Sequence, residues 1–149
     1  MNLVLMDTNI ILRGAEPAHP MHIDAINAQA ELRRRGNNPC LVAQNLIEFR
    51  SVATRPGAVN GMGMSQSDAD NELTKLKSLY AVFADEATIL PMWERLVTTY
   101  GSAGKQNHDA RLVAAMLVHK ITLLLTFNKS DFTRYSDITV VTPQEVLAS

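Results

Sequence analysis

Four acidic residues stand where short apolar runs give way to polar ones. Asp7 closes the run in "LVLMDTNIIL"; Glu48 lies in "AQNLIEF", just after the run at 40–43; Asp109 opens the apolar segment "HDARLVAAMLVH"; Asp131 follows "ITLLLTF". If those runs are parallel strands, all four carboxylates lie toward the strands' carboxyl ends, the edge where open α/β sheets bind ligands. Carboxylates gathered there without a cation would repel one another, and some would take up protons. A divalent cation removes that conflict. Oxygen-only ligands suit hard ions such as Mg²⁺ and Mn²⁺, and no Cys/His pair in the chain has the spacing of a zinc site.

Each position also makes sense as local helix chemistry. Asp7 or Thr8 suits an N-cap, Asn45 with Glu48 three residues on resembles a capping box, Asp109 suits the positive end of a helix, and Asn128 with Asp131 repeats the i, i+3 spacing. Capping, however, does not require carboxylates on several elements to share one sheet edge. A metal site does.

The elements that must position these residues are legible as alternating short apolar runs and segments of helical period, the ordering of a parallel α/β sheet. Strands are expected at 3–6, 40–43, 121–126 and 138–141, with a short one at 81–84. "MHIDAINAQAELRRRG" predicts a helix with Ile23, Ile26 and Ala30 at helical spacing and a basic, glycine-terminated end. "QNLIEFRSVATRPG" predicts a second, stopped by Pro56 and Gly57. "GAVNGMGMS" has three glycines and no periodicity and is expected to be a loop. Ser65 or Ser67 would cap a following helix with Leu73, Leu76 and Leu79 along one side. A helix around 87–100 places Met92, Leu96 and Tyr100 on one face. The segment 108–119 is apolar on nearly every side, as for a helix buried on a sheet.

At 149 residues and 46% hydrophobic content, the chain is expected to form a single domain over 1–149. A formal net charge of −1 means that nucleic-acid contact would rest on a local patch. The single cysteine, Cys40, reads as a small buried apolar residue. With no secretory leader pattern and no run near the roughly 18 apolar residues of a membrane span, a reducing, cytoplasmic setting is expected, with no membrane contact.

Taken together, "LMDTNIIL", "AQNLIEF", "NHDARLVAAM" and "LLTFNKSDF" resemble, in order and context, the motifs of PIN-domain ribonucleases, most closely the VapC-like toxins of bacterial toxin–antitoxin modules. The resemblance runs from Leu3 to about Pro143. It implies a three-layer α/β/α fold with a central parallel sheet and a Mg²⁺- or Mn²⁺-dependent endoribonuclease holding one or two ions. By that match Asp7, Glu48 and Asp109 form the acidic core and Asp131 is the fourth carboxylate; some relatives carry a carboxylate where this chain has Asn128. Asp7 and Asp109 would be principal metal ligands, Glu48 a ligand or the group orienting the attacking water, and Asp131 would complete the set. Thr8 and Asn9, with Asn128, are expected to support them by hydrogen bonds. With water as nucleophile, the products would be a 5′-phosphate and a 3′-hydroxyl. The resemblance further implies a homodimer and inhibition by a cognate antitoxin, for which the 57–64 loop and the two helices after it would offer a surface.

An RNA substrate needs cations beside the acidic residues. Lys105 and Lys129 are the best placed and Arg111 and Arg134 weaker, while the Arg33–Arg35 run reads as a solvated helix end. "GSAGKQ" is not a phosphate loop, because Thr99 and Gln106 stand where glycine and Ser or Thr are needed. None of the four histidines pairs with another in a way that suggests metal-free acid–base cleavage; His108 adjoins Asp109, and His119 suits a helix carboxyl end. Two alternatives remain: a catalytically silent metal- or RNA-binding module of the same fold, and another metal-assisted phosphate hydrolase. A haloacid-dehalogenase-like phosphatase would want an aspartate at Asn9. A receiver-like domain would want its phosphoacceptor after the third strand.

Overall fold

The computed structural model describes residues 2–149. The first strand is set by burial on both faces: Val4, Leu5 and Met6 are fully enclosed, which is why "LVLM" reads as continuous rather than alternating. The chain runs β1 (Asn2–Met6), α1 (Thr8–Gly14), α2 (His22–Arg34), β2 (Asn37–Val42), α3 (Ala43–Thr54), α4 (Gln66–Leu79), β3 (Ala81–Phe83), α5 (Ile89–Tyr100), α6 (Gln106–Val118), β4 (Leu123–Leu125), β5 (Thr139–Val141) and α7 (Pro143–Ala148). The strands form one parallel sheet in the order β3-β2-β1-β4-β5.

Successive β1 side chains feed opposite layers. Leu5 packs with α5 and α6 through Leu96, Leu112 and Met116, whereas Val4 and Met6 pack with α1, α2 and α3 through Ile10, Leu32 and Phe49. The result is a three-layer α/β/α fold, as the alternation of elements predicts. From β1 the chain moves one way to β2 and β3, then returns to place β4 on the other side. A crevice therefore opens between the carboxyl ends of β1 and β4, the usual ligand position of such sheets. Asp7 stands at that point, its N–H donating to Leu125 O at 2.9 Å.

Three of the differences from the sequence expectation have a clear physical reason. β2 begins at Asn37 rather than 40: "NNP" has turn-like residues, yet register with Asn2–Val4 of β1 carries the strand through them. β4 is shorter than 121–126. Lys120 adopts a left-handed conformation (φ 59°), and Ile121 N donates to Met116 O at 2.8 Å, so Ile121 closes α6 instead of opening the strand. Segment 57–64 contains a short 3₁₀ turn, Gly57–Val59, and folds back on α3 through Met62 N to Val52 O (3.0 Å), Gly63 N to Arg55 O (2.9 Å) and Met64 N to Ala53 O (2.8 Å). It is a clamp rather than a loose loop. Beyond it, Ser65 caps α4 as expected, its hydroxyl accepting from Asp68 N at 3.0 Å.

This clamp depends on one glycine. A Cβ at Gly61 would lie 1.8 Å from the Arg55 carbonyl oxygen, so any side chain forces the backbone to move. Gly61→Ala is expected to cost about 2 kcal/mol, as overpacking does, and to lower the melting temperature by roughly 4–8 °C. An unchanged melting temperature would show that the segment relaxes freely.

Candidate active site

All four predicted carboxylates line one cleft of about 720 Å³ at the carboxyl ends of the strands, together with Thr8, Asn9, Asn128, Lys105 and Arg111. Asp7 is both cap and cleft residue. Its Oδ1 accepts from Thr8 N at 2.8 Å at the start of α1, while its Oδ2 accepts from Thr126 Oγ1 at 2.6 Å, across the crevice from β4. A capping role and a place in the cleft coexist in this one side chain.

Glu48 is not part of a capping box. The α3 amino end is tied by Asn45, whose Oδ1 accepts from Val42 N at 2.9 Å. Glu48 instead faces the cleft one turn on, with Oε1 accepting from Thr8 Oγ1 at 2.7 Å and Oε2 from Gln44 Nε2 at 3.1 Å. Fully buried Asn45 links these pieces, its Nδ2 donating to Met6 O at 3.1 Å and Thr8 Oγ1 at 3.2 Å. Asp109 lies in the first turn of α6, and Asp131 ends a short 3₁₀ turn, Lys129–Asp131. Between the last two sits Lys105, with its ammonium 3.6 Å from Asp109 and 3.2 Å from Asp131.

Asn9 reaches back over β4, its Oδ1 accepting a long 3.5 Å contact from Phe127 N. Asn128 lines the cleft, and its N–H donates to Thr126 Oγ1 at 3.0 Å. Arg111 also belongs to the cleft and donates to Gln44 Oε1 at 2.9 Å. Two expected cations are engaged elsewhere. Lys129 donates to both Glu145 oxygens, at 3.0 and 2.9 Å, and Arg134 to Gly101 O at 3.1 Å; neither lines the cleft. Arg35 and His119 make structural contacts instead: Arg35 ties α2 to Val146 O, and His119 pairs with Ala84 O.

Sequence reading passed over several contributors. Arg55 lines the cleft rim, Gln44 bridges Glu48 to the His108 carbonyl (2.9 Å), and Thr126 holds Asp7. The only signal for Arg55 is a cation just before the Pro56–Gly57 stop.

The electrostatics record crowded negative charge. Burial pushes the Asp7 carboxyl up to about 6 against the pull of the Thr126 hydroxyl and the Thr8 N–H, and the charges of Glu48 and Asp109 push it further. Asp109 is raised as well, by burial first and then by Asp131 and Glu48, with Lys105 opposing. Partial burial pulls the Lys105 ammonium down, yet its contacts with Asp131 and Asp109 raise it overall.

Among the described residues, no three His, Cys, Asp or Glu side chains already stand in a coordinating arrangement; the carboxylates are held by Thr8, Thr126, Gln44 and Lys105. The donor chemistry nevertheless fits a hard divalent cation. The cleft offers carboxylate oxygen on four elements, and two of its carboxyls are raised by burial first and by neighbouring carboxylates second, a burden that a bound cation would relieve. Asp7, Glu48, Asp109 and Asp131 are the residues that would hold such an ion.

No protein-family model and no curated protein matches the chain. Solved structures do. A chain of VapBC-1 from nontypeable Haemophilus influenzae superposes with a TM-score of 0.68 at 16% identity, covering 95% of this chain and 98% of that one. A chain of VapBC2 from Rickettsia felis, solved bound to a fragment of promoter DNA, gives 0.67 at 15% identity over 94% and 98%. VapC20 of Mycobacterium tuberculosis, described as a sarcin–ricin loop cleaving toxin, gives 0.58 at 16% identity over 81% and 86%. At such identities the likeness is one of fold, and the chain accordingly has the PIN-like α/β/α fold found in these VapC-type toxin structures.

Proposed function

We propose that this protein is a Mg²⁺- or Mn²⁺-dependent endoribonuclease and the toxin component of a toxin–antitoxin pair. The observation that carries the reading is the meeting of Asp7, Glu48, Asp109 and Asp131, drawn from positions up to 124 residues apart (131 − 7), in one cleft at the switch point of the sheet. The fold shared with a toxin described as cleaving the sarcin–ricin loop supports it.

A divalent ion held by this set would supply a Lewis acid and make water a competent nucleophile near neutral pH. The chain's own groups orient around that task. Asp7 and Asp109 are the principal ligands in this reading, and Asp131 completes the set. The Thr8 hydroxyl and Gln44 amide fix Glu48, which ligates or orients the attacking water. Of the cations on the cleft wall, Lys105 is paired with Asp109 and Asp131 and Arg111 with Asp85, so Arg55, which has no ion pair among the described residues, offers the local positive charge that an RNA phosphate needs in a chain of net charge −1.

An antitoxin has a surface to occupy. A groove of about 540 Å³ runs between α1, α2 and α4, lined by Ile11, Ile26, Leu76 and Leu79, and Ile26 and Leu79 remain exposed there. Gln29, Arg33, Glu72 and Lys75 line it beside these apolar side chains, and such a mixed lining suits an amphipathic segment of a partner protein. A cytoplasmic homodimer belongs to the same reading, in keeping with the sequence resemblance. No helix among the described residues is long and apolar enough to cross a membrane.

A catalytically silent module is the second reading, favoured by the carboxylates' being satisfied within the chain. Incubation of the purified protein with a mixed RNA pool in Mg²⁺, Mn²⁺ or EDTA separates the two. Cleavage with either metal and none with EDTA is expected. Intact RNA with a protein that still binds Mn²⁺ would favour the silent module, and cleavage unaffected by EDTA would overturn metal dependence.

A further inference from the structure

Beside the carboxylate cleft lies a second cavity, of about 590 Å³, between the segment after β3 and helices α5 and α6. That volume is within the usual range for small-molecule sites. The two spaces share His108 and Arg111, and His108 immediately precedes Asp109 on α6. We infer that this cavity is a subsite for an unstacked nucleobase of the substrate, selective for guanine, with Trp93 and Leu90 as its apolar wall and Glu86 as its reading group. The inference rests on the ribonuclease reading above and names which part of the RNA enters where.

Its apolar wall carries an aromatic ring held in place. The Trp93 indole N–H donates to Asn107 O at 2.8 Å, which fixes the ring plane, and Leu90 beside it is 62% exposed. Proteins that recognise single-stranded RNA stack splayed bases on such side chains and read their Watson–Crick edges by hydrogen bonding. Adjacency to the cleft across His108 and Arg111 supplies the geometry: with the scissile phosphate at the carboxylates, a neighbouring base is the part of the substrate nearest the cavity.

The polar rim supplies the selectivity. Asp85 is neutralised by Arg111 Nη2 at 3.0 Å, whereas the only engaged group of Glu86 among the described residues is its backbone carbonyl, which accepts from Ile89 N at 3.0 Å. The Glu86 carboxylate therefore offers two acceptors and no donor. Guanine presents two adjacent donors, N1–H and the 2-amino group, and can bind both oxygens. Adenine and cytosine present an amino donor next to an acceptor nitrogen. Uracil sets one N–H between two carbonyls that repel the carboxylate. Occupancy also has a route to the chemistry, since Asp85, Arg111, Gln44 and Glu48 form one hydrogen-bonded chain from cavity rim to cleft.

Trp93 is the only tryptophan of the chain, so its emission reports the subsite directly. The test titrates wild-type and Glu86→Ala protein in EDTA with hexauridylate and with the same hexamer carrying one central G, A or C. The same oligonucleotides are then incubated with wild-type protein and Mn²⁺ to follow cleavage. Backbone charge is identical throughout, so differences report the base. Quenching by the G-containing hexamer at a Kd about 10-fold or more below that of hexauridylate is expected, the size of one charge-assisted contact, and Glu86→Ala should level the series. Mn²⁺-dependent cleavage without base-dependent quenching would overturn the subsite and leave the nuclease reading standing. Guanine-selective quenching without cleavage would support the subsite and sink the nuclease reading, and a preference for A or C would overturn the subsite. Loss of both would remove both. If Leu90→Asp changes the oligomeric state and leaves base preference untouched, the face is an interface between copies of the chain and the subsite is overturned.

Discussion

Asp7→Asn is expected to abolish metal-dependent RNA cleavage, by on the order of 10³-fold, the upper range for losing one electrostatic stabiliser of a reacting group, while making the metal-free protein more stable at neutral pH. The first effect follows from the position of Asp7 at the crevice between β1 and β4. The second follows from its titration. The Asp7 carboxyl is raised from 3.8 to about 6 in the folded protein, chiefly by burial. Between those values the folded state holds a proton that the unfolded chain has released, so stability falls as pH rises through the window and stays reduced above it.

Asparagine carries no charge at any pH and escapes that penalty. A rise of this size corresponds to at most about 3 kcal/mol, and partial solvent access to the cleft reduces this to roughly 2 kcal/mol. The variant should therefore melt roughly 4–8 °C above the wild type at pH 7.5 without metal, with the difference closing toward pH 4. Mn²⁺ should stabilise the wild type and not the variant, because only the former gains binding energy. Thermal melts across pH, with and without Mn²⁺, read all three effects. A variant less stable than the wild type at pH 7.5 would mean that Asp7 already has a compensating positive partner.

Asn45→Ala is expected to produce the largest loss of stability of any single substitution at the site. Asn45 is fully buried and satisfies Val42 N, Met6 O and Thr8 Oγ1 together. Truncation leaves a buried N–H and a buried carbonyl without their partner, at about 1–3 kcal/mol each, so a loss of about 3 kcal/mol and a fall of roughly 6–12 °C in melting temperature follow. Cleavage at temperatures where the variant is still folded should also drop, since Thr8 then holds Glu48 without its own anchor. Denaturant melts and initial rates measured on the same preparation separate the two effects. A neutral outcome would mean that water replaces the amide, and Asn45 would then not be what positions Thr8.

These two residues also mark how far the sequence could be read. Asp7 is legible through the joint pattern rather than alone, where an N-cap explains it: the four acidic residues fall at strand ends in the order the fold requires. Asn45 was visible only in the wrong role. Its i, i+3 relation to Glu48 has the spacing of a capping box, but Asn45 turns back to Val42 while Glu48 reaches to Thr8, 40 residues away. Spacing alone cannot distinguish a side chain that faces its own helix from one that faces a neighbour.

Thr126 and Gln44 were silent for a related reason. Each is one polar residue beside an apolar run, and its partner is fixed by sheet order: Thr126 meets Asp7 across 119 positions. The cations divide in the same way. Lys105 and Lys129 both flank acidic residues in sequence, but α7 brings Glu145 to Lys129, whereas Lys105 is left between Asp109 and Asp131. Residues 57–64 looked unstructured from their glycines, and those glycines are what allow the backbone to clamp on α3, with Gly61 against the Arg55 carbonyl.

The most direct measurement on the central claim is the chemistry of the cut ends. RNA cleaved by the wild-type protein with Mn²⁺ should carry 5′-phosphates and 3′-hydroxyls, because a carboxylate-held metal site activates water rather than the ribose 2′-hydroxyl. Ends bearing a 2′,3′-cyclic phosphate and a 5′-hydroxyl would show the 2′-hydroxyl to be the nucleophile, and would contradict a metal-centred role for Asp7, Glu48, Asp109 and Asp131.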